Sequence, residues 1–183
     1  AAVAGLIGFV GLTSIREIAD VRLPSVQYLL TISDAQQKVM VGERGLVNRR
    51  MMDADIRQAQ YEYIDNAFAQ QQEAMDAYAA IPKTPEEEEL WGKAKSALAA
   101  WKLDDATVVT LSRQKDELLA SGLTEEDQRI ATLDQQTLDT SLTARSSFLT
   151  ANDLLMQAVD LNEGIANQAS GQSVRMIIIF FAG

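Results

Sequence analysis

The 183-residue sequence contains no cysteine and no histidine. Their absence removes thiol chemistry, disulfides, most zinc and copper sites, haem ligation by histidine and histidine-based acid–base catalysis. A di-iron bundle needs Glu-x-x-His pairs, so none can form. A cysteine-free chain is compatible with an oxidising compartment such as the periplasm. Aromatic residues are scarce at 6%, with three prolines and ten glycines. Basic residues are outnumbered, the net charge being −10 and the pI about 4.5. Nucleic-acid binding therefore has little electrostatic support. Ser–Lys or carboxylate pairs show no catalytic spacing. The expectation is no enzyme, no catalytic residues, no metal and no cofactor.

Hydrophobic residues still reach 47%, mostly helix-forming Ala and Leu. This composition predicts one all-α domain, or one domain with appendages. Its organising stretch is residues 22–52. Val26, Leu30, Ser33, Gln37, Met40, Arg44, Val47 and Met51 step by fours and threes along one face. Leu29, Ile32, Gln36, Val39, Glu43, Leu46 and Arg50 do so on a neighbouring face. One apolar stripe docks a helix on its own domain; a second implies a second partner. The simplest partner is the same helix of another copy, meeting along positions 29, 32, 36 and 39. Ser33, Gln37 and Arg44 interrupt the apolar rhythm, and buried polar groups cost free energy without a partner. The helix therefore lines something wet or binds something polar.

Four helices follow from the punctuation. Helix 1 runs through Pro24, which predicts a bend near Leu23 or Pro24, and ends near Met52. Asp53 or Asp55 caps helix 2, about 54–80. Residues 81–83 break it. Thr84, Pro85 and Glu87 form a capping box for helix 3, and the acids Glu86 to Glu89 read as a solvated helix start. Trp91 and Trp101 read as core. Ser121 and Gly122 end helix 3. A second box, Thr124 to Asp127, opens helix 4, which runs about 50 residues, roughly 75 Å. Together these predict an antiparallel up-down-up-down four-helix bundle with long first and last helices.

Residues 1–12 and 176–183 carry no charge. Each is shorter than the ~20 apolar residues of a spanning helix. They read as the ends of two cut transmembrane helices flanking a domain at 13–175. A signal-peptide remnant accounts for the first alone. A tail docked on the bundle accounts for the second alone.

Leu23-Pro24 opening the bundle, the hairpin from Tyr78 to Trp91 (YAAIPKTPEEEELW) and the stretch from Leu154 to Ala169 carry a resemblance. The chain resembles the periplasmic four-helix-bundle ligand-binding domain of methyl-accepting chemotaxis proteins. Related sensor domains serve histidine kinases and diguanylate cyclases. The resemblance implies an inner-membrane homodimer, a periplasmic ligand site in the half of the bundle far from the membrane, and a signal leaving as a displacement of helix 4.

Basic residues gather near the first turn: Arg44, Arg49, Arg50 and Arg57. With level bundle ends, Arg113, Thr137, Gln60 and Tyr61 fall near the height of Arg44. Arginine forks grip carboxylates at two points. The expected ligand is thus a small anion, an organic acid or amino acid. Arg44 is its main charge partner, with Arg50, Tyr61, Arg113, Thr137 and Thr140 as further contacts. Arg44 points about 120–140° away from Arg49 and Arg50 at ~100° per residue, so two chains aim them at one ligand better than one does. Arg49 and Arg57 read instead as surface residues paired with acids. The alternative function is a ligand-free structural or interaction bundle, for which a dry distal core would speak. Gly171 is either a soft joint in helix 4 or a tolerated helical glycine.

Overall fold

A computed structural model describes residues 13–182, with side chains described for 13–172. The expected first cut span, residues 1–12, lies outside them. Of residues 176–183 the backbone is described as helix through Ala182. Among the described residues no helix is long and apolar enough to cross a membrane.

All four expected helices are present: α1 (Leu23–Val47), α2 (Ala54–Ala79), α3 (Pro85–Ala120) and α4 (Gln128–Ala182). Among the described residues there is no strand. Helix α1 runs beside α2 and α4, and α3 beside α4, while α1 and α3 meet more sparsely across the diagonal. The connectivity is up-down-up-down. The turns at 48–53 and 121–127 lie at one end, the distal end in the expected sensor arrangement; the start of α1 and the tail of α4 leave from the opposite, proximal end.

Residue size sets the spacing of the helices. A side chain on Gly42 or Gly45 would collide with Ile64 or Gln60, so these glycines let α2 lie close against α1. Large side chains fill the gap between α2 and α3. Phe68 and Trp101 rings lie 5.4 Å apart. Tyr78 meets Trp91 edge-on at 4.9 Å. Both tryptophans are buried, as expected.

The irregularity expected at Pro24 is a π-helical turn, Glu17–Arg22, joined directly to α1. The Leu23 N–H reaches back five residues to the Ile18 carbonyl. Pro24 cannot donate a helical hydrogen bond, and a widened turn just before it absorbs the mismatch. Helix α1 stops at Val47, short of Met52. Asn48 is extended (φ −72°, ψ 112°), and its Oδ1 accepts the Arg50 N–H at 3.0 Å. That local side-chain turn outcompetes another helical turn.

Asp53 caps α2, and the Thr84–Glu87 capping box opens α3. Gly122 adopts φ +96°, the left-handed conformation that suits glycine at a helix end. Helix α4 begins three residues later than its sequence signal. Residues 124–127 form their own turn, the Thr124 carbonyl accepting the Asp127 N–H at 3.0 Å. The Asp127 carboxylate accepts the Arg129 N–H at 2.9 Å and takes the capping role.

The seam expected to meet a second copy is spent on the chain's own core. Leu29, Ile32, Gln36 and Val39 are all 0% exposed. What α1 leaves exposed is the stripe of Leu23, Leu30, Gln37, Val41 and Arg44. Nor is the acid run of α3 wholly solvated. Glu87 is buried and binds the buried Arg22 at 2.5 Å, while Arg22 also donates to Asn162 at 2.9 Å. Burial opposes ionisation of Glu87, yet its bonds from Thr84 and Arg22 prevail and hold its carboxyl below the usual range. This network ties α1, α3 and α4 at the proximal end.

Candidate functional site

Two concave places occur near the distal end. The larger, about 530 Å³, opens between the start of α2 and the end of α3. Arg57, Tyr61, Arg113 and Asp116 line it. Arg57 is 2% exposed, so it is no surface residue. Its guanidinium pairs with Asp116 and donates to the Leu46 carbonyl at 2.9 Å and the Ser112 hydroxyl at 2.7 Å. The Tyr61 hydroxyl donates to the other Asp116 oxygen at 2.6 Å. Burial, then this bond and the nearby Asp116 charge, push the Tyr61 hydroxyl pKa up; Ser112 and Arg57 act against the shift. Arg113 stacks over the Tyr61 ring at 4.0 Å. Arg57, Tyr61 and Asp116 satisfy one another, so this cluster fastens α2 to α3, while Arg113 rests on the Tyr61 ring with no ion-pair partner among the described residues.

The smaller place is a groove of about 240 Å³ between α1 and α4. Met40, Glu43, Arg44, Val47 and Asn48 line one side, with Leu138, Ser141, Leu142 and Arg145 on the other. Helical periodicity builds both walls: 40, 44 and 47 repeat along α1, and 138, 142 and 145 along α4. Arg44 and Arg145 are exposed at their outer edges. Neither guanidinium has an ion-pair partner among the described residues, unlike Arg49, Arg57 and Arg129 with Asp134, Asp116 and Asp127. Two uncompensated forks thus border one small polar-and-apolar cleft.

The six expected contacts do not share one place. Arg44 borders the α1–α4 groove. Tyr61 and Arg113 face each other across the α2–α3 cavity, because Tyr61 projects towards α3. Arg50 is exposed in the 48–53 turn. Thr137 is buried, and its hydroxyl donates to the Leu133 carbonyl of its own helix at 2.7 Å. Thr140 is half-buried and lines neither place. Arg145 was missed. Its signal was its place in the 138, 142, 145, 149 stripe of α4, where three exposed leucines repeat by fours and threes.

Further inside, Glu43 and Asp105 are 1% and 0% exposed. Burial first, then their mutual contact, pushes Glu43 up to about 8. Burial likewise raises Asp105, to about 7.

No known protein family matches the chain, and no curated protein sequence does. A solved structure described as the periplasmic sensor domain of a sensor histidine kinase has the same fold. Its TM-score is 0.60 at 18% identity, covering 81% of this chain and 88% of that one. At this identity the likeness is one of architecture: α1 to α4 form the kind of bundle on which a periplasmic sensor domain is built.

Proposed function

We propose that the chain is the extracytoplasmic sensor domain of a bacterial signalling receptor that binds a small carboxylate between α1 and α4. The observation that carries this is the pair Arg44 and Arg145, two unpaired guanidiniums bordering one groove. Guanidinium forks match carboxylate geometry and hold it by charge-assisted hydrogen bonds. A volume of about 240 Å³ is below the ~300–1,000 Å³ of drug-sized sites, which favours an organic acid or amino acid. Two cations on facing helices favour a dicarboxylate.

In this reading the domain is periplasmic, held to the inner membrane by helices at both ends, and works as a homodimer through α1. Its exposed stripe at Leu23, Leu30 and Val41, beside Leu138, Leu142 and Leu149 of α4, is the surface a second copy would cover. Covering it would also desolvate Arg44 and strengthen its hold on an anion. The output follows from α4, one helix from the groove to Ala182. A ligand that favours one of two α1–α4 placements shifts their populations, and α4 carries the displacement out. A chemoreceptor of the methyl-accepting type is the preferred whole protein. The fold likeness makes a histidine kinase the second reading.

Thermal-shift screening against mono- and dicarboxylates and amino acids tests the reading. A bound ligand raises the melting temperature by mass action. A dicarboxylate that stabilises the wild type but not Arg44→Ala or Arg145→Ala supports the groove. No stabilisation by any carboxylate, with the protein folded, returns the chain to a ligand-free bundle.

A further inference from the structure

Glu43 on α1 and Asp105 on α3 are neighbours within hydrogen-bonding reach across the bundle diagonal. Neither is solvated. Both Asp105 oxygens and Glu43 Oε1 lack a hydrogen-bond donor. The other buried acid among the described residues, Glu87, accepts from the Arg22 guanidinium and the Thr84 backbone N–H, so this pair is differently built.

The charges around it come from all four helices. Arg44, next along α1, favours ionised Glu43 but is outweighed by burial and Asp105. Asp65 of α2 disfavours ionised Asp105. Asp104 of α3 accepts the Ser147 hydroxyl of α4. Arg145 of α4 stands across the groove that Glu43 lines. On the flanking turns Val39, Leu46, Trp101 and Val108 are all 0% exposed, so the surroundings are apolar.

Two ionised carboxylates in contact there would repel, each without a donor. One proton converts the same contact into an O–H···O hydrogen bond between acid and carboxylate. We propose that Glu43 and Asp105 form a proton-binding site in the core, in which one shared proton bridges the two buried carboxylates. The proton is a ligand that joins α1 to α3. Its loss weakens that diagonal contact and frees the Glu43 carboxylate for Arg44. One turn of α1 therefore carries both the proton site and the groove, and external pH becomes an input to the bundle.

The composition makes the test clean. With no histidine or cysteine, no side-chain type in the chain ordinarily titrates near neutrality. The folded wild type and the Glu43→Gln/Asp105→Asn double variant are titrated side by side. The wild type should release about one to two more protons between about pH 6 and 9. Coincident curves overturn the proposal. Should the double variant not fold, carbon-13 carboxyl resonances of the wild type decide alone. Glu43 and Asp105 resonances moving near neutrality uphold the site. Both titrating only below about pH 5 refute it.

Discussion

Alanine at Gly42 should destabilise the domain, whereas alanine at Gly92 should stabilise it. A methyl carbon on Gly42 would lie 2.5 Å from Ile64 Cγ1, 3.2 Å from its Cδ1 and 3.3 Å from the Gln60 carbonyl oxygen. Carbon contacts are comfortable at ~3.5–4.0 Å, so α2 must retreat by about 1 Å. Ile64 is 2% exposed and cannot swing away. Overpacking of this kind costs about 1–3 kcal/mol, and the better helix propensity of alanine returns about 1. A net loss of up to about 2 kcal/mol lowers the melting temperature by up to roughly 8 °C for a chain of this size. On Gly92 the same methyl meets nothing within 4 Å, so the propensity gain of about 1 kcal/mol is kept, worth roughly 2–4 °C. Urea and thermal unfolding followed by circular dichroism measure both. A Gly42→Ala variant stabilised as much as Gly92→Ala would refute the close approach of α2 to α1. That approach matters to the site, since Gly42 and Gly45 flank Glu43 and Arg44.

Three further outcomes are expected. Arg22→Met strands the buried Glu87 carboxylate, which should cost about 3–5 kcal/mol in urea unfolding; Arg22→Met with Glu87→Gln should recover part of it. Stability should fall as pH rises from about 5 to about 8, because folded Glu43 and Asp105 keep protons that the unfolded chain releases near pH 4. The slope is up to about 1.4 kcal/mol per pH unit for each proton retained. It levels off above the folded values, and Glu87 acts oppositely, its contribution being lost as pH falls below about 4.5; a denaturation midpoint that climbs between pH 5 and 8 contradicts the assignment. Affinity for a carboxylate should fall as pH rises through about 8, where Glu43 ionises beside the groove, and calorimetry on Glu43→Gln should find that dependence removed.

The fold was legible because its signals are local. Thr84, Pro85 and Glu87 announce α3, Gly122 ends it, and the four–three rhythm marks each helix. The missed boundaries were also local contests: the Asn48 side chain ends α1 early, and Asp127 takes the cap that Thr124 seemed to offer. The site was less legible, since periodicity tells which residues share a face but not which neighbour that face meets. Two stripes on α1 suggested two partners, yet the chain's own α2, α3 and α4 occupy the stripe at Leu29, Ile32, Gln36 and Val39. Arg57 looked like a surface charge because its partners Asp116 and Ser112 lie more than fifty residues away. Nothing in the spacing of Glu43 and Asp105 links them; the diagonal contact of α1 and α3 brings them together.

In the proposed site Arg44 and Arg145 hold a carboxylate between α1 and α4. Titration calorimetry with the best-stabilising carboxylate, on the wild type, Arg44→Ala and Arg145→Ala, tests it most directly. A hydrogen bond to a charged group is worth ~1.5–3 kcal/mol, so Arg44→Ala should weaken binding by roughly 10-fold or more at ~1.4 kcal/mol per tenfold. Arg145→Ala should weaken it in the same direction. Unchanged affinity in both variants would contradict the account.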